Sequence, residues 1–152
     1  MKLVIKEATV AEREWCAHLM AGCDPWITLG RGVDQCRSVC NRPEYVLRVA
    51  HKNAAPCGFV LLHPQGLAGS PYVAAIAVAE AWRGQGVGTR LLDHAEAVFA
   101  GHARHIFLCV SSFNEGARRL YERHGYAVVG ELKDYVVEGA SEWLMHKRLA
   151  AR

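Results

Sequence analysis

The sequence is short of several things, and each shortage removes a class of protein. No stretch comes near the roughly 18 consecutive apolar residues that a membrane-spanning helix needs, so no span is expected. No block of basic residues occurs, and a formal net charge of +3 over 152 residues is too weak to argue for nucleic acid, although it suits an anionic ligand. Met1-Lys2-Leu3-Val4-Ile5-Lys6-Glu7 meets an acid too early for a secretory signal and reads as a first strand. Repeats, linkers and low-complexity tracts are also missing. What is left is 152 residues, 51% of them apolar, which is enough for one domain with a full core.

Metal and redox motifs are missing too. The six cysteines, Cys16, Cys23, Cys36, Cys40, Cys57 and Cys109, form no C-x-x-C pair, and the eight histidines form no H-E-x-x-H pattern. Cys36 and Cys40 share a helix face and have the spacing to bind a metal with Cys16, Cys23 or His18. The competing reading is of reduced thiols acting as small apolar groups in a cytoplasmic protein. No metal is expected, and the cytoplasm is the expected location. No Cys–His–acid set for covalent catalysis is recognisable, and Cys109 sits in an apolar run that makes it a poor nucleophile.

Against these absences one stretch stands out, Arg83-Gly84-Gln85-Gly86-Val87-Gly88. It follows an apolar β-like run, Tyr72–Val78, and opens a helix-like run, Val87–Ala100. Glycines at alternate positions leave successive N–H groups free to point into one small space at a helix N-terminus, where the dipole favours an anion. Arg83 adds a forked cationic donor suited to phosphate. The stretch reads as a pyrophosphate cradle. It is not a P-loop, because Gly88 is followed by Thr89-Arg90 and not by Lys-Ser/Thr. Nor is it a dinucleotide fingerprint, because the spacing is G-x-G-x-G and no acid stands near His105-Ile106-Phe107.

The remaining elements follow from periodicity and punctuation. Leu3–Glu7 is a strand near a sheet edge. Thr9 caps a helix with Trp15, Leu19 and Met20 on one side, and Gly22 stops it. A loop over residues 24–32 precedes a short helix, Val33–Cys40. Tyr45–His51 and Cys57–His63 form a hairpin, Pro64–Pro71 is a turn-rich loop, and Ile106–Val110 is a buried strand. Asn114 caps a helix that Gly125 ends. Tyr126–Glu131 and Ser141–Leu149 are final strands, with Asp134–Val137 extending one of them. The order is β-α-α-β-β-β-α-β-α-β-β.

The chain resembles the GCN5-related N-acetyltransferases (GNAT). Arg83, Gly86 and Gly88 match the family's cofactor motif, Arg/Gln-x-x-Gly-x-Gly/Ala, and Ile76–Trp82 is similar to the strand and link that precede it. Val110-Ser111-Ser112-Phe113-Asn114, then Glu115–Tyr121, is similar to the family's second motif, where an Asn ends a strand and a Tyr follows one or two turns later. The firm resemblance covers about Tyr72 to Glu131. It implies an α+β, GNAT-like fold: a central mixed, mostly antiparallel sheet flanked by about four helices, with the whole chain, 1–152, as one domain.

The resemblance also implies a function. Acetyl-CoA would donate an acetyl group to a primary amine by direct attack in a ternary complex. The pyrophosphate would lie on Arg83, Gly84, Gln85, Gly86, Val87, Gly88 and Thr89. The backbone of Ile76, Ala77 and Val78 would pair with the pantetheine arm, and an N–H near Val78 would polarise the thioester carbonyl. Asn114 would bind that arm, with Ala117 beside it, although its residue type is explained equally by capping. Tyr121, two turns from Asn114 on one helix face, would be the general acid, with Tyr126 a weaker candidate. The family's strand Glu is missing between Tyr72 and Ala79, which leaves the base open among Asp24, Glu44, His63, Asp134 and a water chain.

On the acceptor side, Asp24 and Trp26 offer an anion and a flat surface for a cation, and Tyr135 and Trp143 lie at the other end of the same cleft. The acceptor is an amine of a small molecule or of a protein. Homodimerisation is suggested by Trp143 and Leu144 at the ends of the sheet. The rival readings are a non-catalytic acyl-CoA sensor or interaction domain on the same scaffold, and an enzyme using a longer acyl chain.

Overall fold

The computed structural model of the chain describes residues 2–150. Seven strands form one sheet: β1 Leu3–Glu7, β2 Val46–Lys52, β3 Ala55–Leu67, β4 Ser70–Val78, β5 His105–Ser111, β6 Ala127–Lys133 and β7 Ser141–Arg148. Their spatial order is β1-β2-β3-β4-β5-β7-β6. Among the described strands only β4 and β5 run parallel, and every other pair is antiparallel. Four helices flank the sheet, α1 Val10–Ala21, α2 Val33–Cys40, α3 Val87–Phe99 and α4 Glu115–Arg123, with one 3₁₀ turn at Glu80–Trp82. The α+β class, the mixed sheet and the order of elements are as expected from the sequence.

Helices cover both faces, so the central strands are apolar on both sides. Along β3, Cys57, Val60 and Leu62 join the core under α3, while Phe59 and Leu61 join the core under α1 and α2. That alternation explains the unbroken apolar run Phe59–Leu62. Phe59, Leu61 and Leu62 are fully buried, each contributing about 1.5–3 kcal/mol of transfer free energy. On α1 the buried face is Cys16, Ala17 and Met20, with Trp15 and Leu19 at its margin. Cys16, Cys36 and Cys40 are packed in this core as apolar side chains, and Cys40 Sγ lies 3.6 Å from Met20 Sδ.

The helix ends are set locally. Thr9 Oγ1 accepts from Glu12 N and Glu12 Oε1 accepts from Thr9 N, closing a capping box on α1. Asn114 Oδ1 accepts from Ala117 N at the start of α4. Beyond α4, His124, Glu96, Lys147 and Tyr126 form one half-buried network. Lys147 Nζ donates to Glu96 Oε1 at 2.7 Å, and the Tyr126 hydroxyl donates to Glu96 Oε2 at 3.1 Å. This joins α3, the end of α4 and β7.

Three sequence expectations are corrected. Residues 64–71 are not a loop. β3 runs on to Leu67 and β4 starts at Ser70, with Ala68 and Gly69 at positive φ between them. This is the two-residue hairpin turn that fits strand twist. Pro64 is accommodated where the β3–β4 register breaks, between His63 and Leu67. Second, Asp134–Val137 is a turn, not a strand: Asp134 sits at φ 51° and its Oδ1 accepts from Gly139 N at 2.6 Å. Third, Trp143 and Leu144 lie on β7, an interior strand paired on both sides, so they do not mark a sheet end. The exposed apolar residues at that edge are Val128, Val129 and Leu132 on β6.

Candidate active site

The site begins with a break in the sheet. β4 and β5 pair only at Tyr72↔Phe107 and Val73↔Leu108. Next to those pairs β4 carries an extra residue: Leu61 faces Ala75 and Leu62 faces Val73, so Ala74 has no partner on β3. The consequence shows in the packing. Val73 faces the α3 side, Ala74 and Ala75 both face the α1–α2 side, and Ile76 returns to the α3 side. A bulge of this kind bends its strand. Beyond it β4 leaves β5, and residues 74–78 have no strand partner on that side.

Two hollows meet at this splay. The larger, about 1070 Å³, runs beside Ile76, Ala77 and Val78, then along Arg83, Gly84, Gly86, Val87, Gly88 and Thr89. The smaller, about 380 Å³, lies between β4 and β5 and is closed by Trp26, Tyr121 and Glu142, among others. Ile76, Asp24, Trp26, Asn114 and Ala117 line both.

The glycines of the larger hollow do two jobs. Gly84 and Gly86 sit at φ 74° and 82°, where a Cβ is strained. Gly86 is the N-cap of α3 and supplies no capping side chain, so the first N–H groups of α3 open into the hollow. Gly88 is different. It lies within α3, and a Cβ there would come 3.2 Å from Leu120 Cδ2, so it lets α3 and α4 approach. Arg83 is exposed at the mouth, its Nε donating to Val78 O at 3.1 Å and its Nη2 to Cys23 Sγ at 3.3 Å. The side chain of Gln85 turns to Ala81 O, and Gln85 does not line the hollow. Val87 contributes backbone there, its side chain being buried in the core.

In the smaller hollow, Tyr121 is 7% exposed. Its hydroxyl has no hydrogen-bond partner among the described residues. Burial raises the phenol above its usual range, so it holds its proton throughout the neutral range. Asn114 lines both hollows while its Oδ1 caps α4, so its amide N–H groups are free to donate. Trp26 lies half-buried against the core under α1 and α2 and lines both hollows. Tyr135 is exposed on the rim, whereas Trp143 is not part of the wall.

Asp24 is exposed and held by its own turn. Its Oδ1 accepts from Thr28 Oγ1 at 2.6 Å and Thr28 N at 3.0 Å, which lowers its pKa. Of the other candidates for a base, Glu44, His63 and Asp134 lie outside both walls.

Sequence reasoning missed part of this wall. Glu142, on β7, is 9% exposed and accepts from Ser111 Oγ at 2.6 Å. Tyr72 and Cys109 stand nearby. Burial, with Cys109 beside it, raises the Tyr72 phenol, and burial also raises the Cys109 thiol, which leaves it protonated and unreactive near neutrality. The available signal was a lone carboxylate, Glu142, opening the apolar run Trp143-Leu144-Met145.

Comparison with known proteins agrees with this geometry. The acetyltransferase (GNAT) family model matches residues 9–126. The crystal structure of Ard1 from Thermoplasma volcanium superposes with a TM-score of 0.81 at 17% identity, covering 99% of each chain. An aminoglycoside 6'-N-acetyltransferase complexed with coenzyme A gives 0.78 at 19% identity over 98% of both chains. Arabidopsis thaliana NAA60, in complex with a bisubstrate analogue, gives 0.78 at 16% identity, covering 99% of this chain and 100% of that one. At these identities the likeness is one of fold. A comparison with curated proteins finds no match.

Proposed function

The chain belongs to the acetyltransferase (GNAT) family, and from that premise we propose that it moves an acetyl group from acetyl-CoA to a primary amine, as one catalytic domain. The observation that carries this reading is the splay of β4 from β5 beside the open N-terminus of α3. The splay leaves a strand edge for an amide-bearing arm, as in strand addition. The helix end, with Gly84 and Gly86, offers N–H groups to a pyrophosphate. The structural relative crystallised with coenzyme A supports the donor.

Acetyl-CoA brings an activated acyl carbon; the chain supplies position and proton movement. The N–H groups of Gly88 and Thr89 and the guanidinium of Arg83 hold the anionic end. The β4 edge at Ile76–Val78 orients the arm, with the Asn114 amide donating to it. A β4 N–H near Val78 steadies the developing oxyanion. Tyr121 gives its proton to the departing sulfur and regains one as the amine nitrogen loses its own. Its raised pKa is compatible with that role, because the same dry surroundings raise the affinity of a thiolate for a proton. In balance, one N–H and one C–S bond break, and one C–N and one S–H bond form.

Calorimetric titration with acetyl-CoA, with free CoA alongside, tests the cradle. Micromolar binding is expected to both, and Arg83→Glu is expected to weaken both by about tenfold or more through repulsion of the pyrophosphate. Unaltered affinity in that variant would remove the cradle assignment. Absence of binding by folded protein would overturn the reading as a whole.

A further inference from the structure

The smaller hollow carries an uneven set of charges. Three arginines lie on α2 and its flanks, Arg31, Arg37 and Arg42. Arg37 is neutralised: its Nε and Nη2 donate to Glu14 at 2.8 and 2.7 Å, and its Nη1 donates to Asp34 at 2.6 Å. Arg31 and Arg42 are not. Both line the hollow, both are exposed, and the side chain of neither has an ion-pair or hydrogen-bond partner among the described residues. Two carboxylates share the wall. Asp24 is occupied by Thr28. Glu142 comes from β7 and among the described residues has only the Ser111 hydroxyl as a hydrogen-bond partner, which leaves most of its acceptor capacity open.

Each set asks for its complement. A buried carboxylate met by one neutral donor calls for a cation. Two free guanidiniums on the same wall call for an anion, and their forked donors match a carboxylate. A polycationic amine satisfies Glu142 and is repelled by both arginines. A neutral amine leaves the arginines unused. A hollow of about 380 Å³ is within the range of small-molecule sites.

We propose that the acceptor is a small amine bearing its own carboxylate, its ammonium directed to Glu142 and its carboxylate to Arg31 and Arg42. Glu142 takes the ammonium proton and passes it to solvent. That leaves a neutral amine to form the C–N bond as the C–S bond breaks. This inference rests on the acetyl-transfer reading above.

The test is a panel of amines assayed for thiol release from acetyl-CoA, with acetyl-CoA binding measured in parallel. The panel pairs each of several amino acids with its own carboxamide and adds a polyamine. The amino acid is expected to exceed its carboxamide by about tenfold or more in kcat/KM. Arg31→Gln with Arg42→Gln is expected to erase that ratio by raising KM for the amino acid toward that of its carboxamide. Glu142→Gln, which keeps an acceptor for Ser111, is expected to lower kcat for both members of a pair. If acetyl-CoA binds and the carboxamides or the polyamine react as well as the amino acids, the inference falls and acetyl transfer stands. If acetyl-CoA binds and no amine in the panel releases thiol, the inference falls; if acetyl-CoA does not bind, the acetyl-transfer reading falls and takes the inference with it.

Discussion

Tyr121 and Glu142 face one hollow, yet only one of them was legible in the sequence. Tyr121 stands two helical turns after an Asn that caps its own helix, so its direction follows from helix geometry once Asn114 is placed. Glu142 becomes visible only when β7 is laid against β5, which pairs it with Ser111. No local pattern encodes that pairing. The glycines show a similar division. The cradle role of Gly84 and Gly86 follows from the turn they make, whereas the packing role of Gly88 depends on Leu120, from a different helix. Tyr121→Phe keeps the ring and its packing and removes only the unpartnered hydroxyl. Turnover is expected to fall by about 10²-fold, with acetyl-CoA affinity and melting temperature little changed. Steady-state kinetics beside calorimetry checks this, and an unaltered kcat would end the acid role.

The order of strands and helices was readable because apolar periodicity and capping residues agree along most of the chain. The bulge in β4 was not. It shows as a break in alternation, and it falls on Ala74-Ala75, two identical small residues that give no polar contrast to reveal the break. The β3–β4 hairpin was hidden by Pro64 and Pro71, which read as loop residues until the register break makes room for one of them. The same two strands meet α3 at Gly58. A Cβ at that position would lie 2.8 Å from Ala77 O and 3.3 Å from side-chain atoms of Val87 and Leu91. Gly58→Ala is therefore expected to push β3 away from β4 where the cofactor arm would lie. A loss of about 1–3 kcal/mol in chemical denaturation is expected, together with weaker acetyl-CoA binding. A variant as stable as the parent would show that this approach has slack.

Taken whole, the molecule has a core on each face of its sheet and half-buried titratable groups at the margins. His94 on α3 has a buried Nε2 without a partner among the described residues, and its pKa is lowered, first by burial and then by nearby Arg48. His146 is lowered by burial and by His105. A histidine held neutral in the fold binds fewer protons than in the unfolded chain. Its contribution is complete above the unfolded value of 6.5 and is lost as pH falls from there through the folded value. Glu14 is held at about 2 by Arg37, against 4.5 unfolded, so its contribution is lost as pH falls below 4.5. Thermal melts are thus expected to decline in two stages on acidification, first below about pH 6.5 and again below about 4.5. His94→Leu is expected to shrink the first stage and leave the second, and an identical two-stage decline in that variant would reassign the first to other groups.

The sheet is joined across its middle by two residue pairs, Tyr72↔Phe107 and Val73↔Leu108, and past them it stands open like an unfinished seam. On the reading proposed above, the donor's amide-bearing arm lies along that seam as a further strand. Acetyl-CoA would then be a building part of the fold as well as a reactant, and each turnover would end by removing a piece of the protein's own architecture.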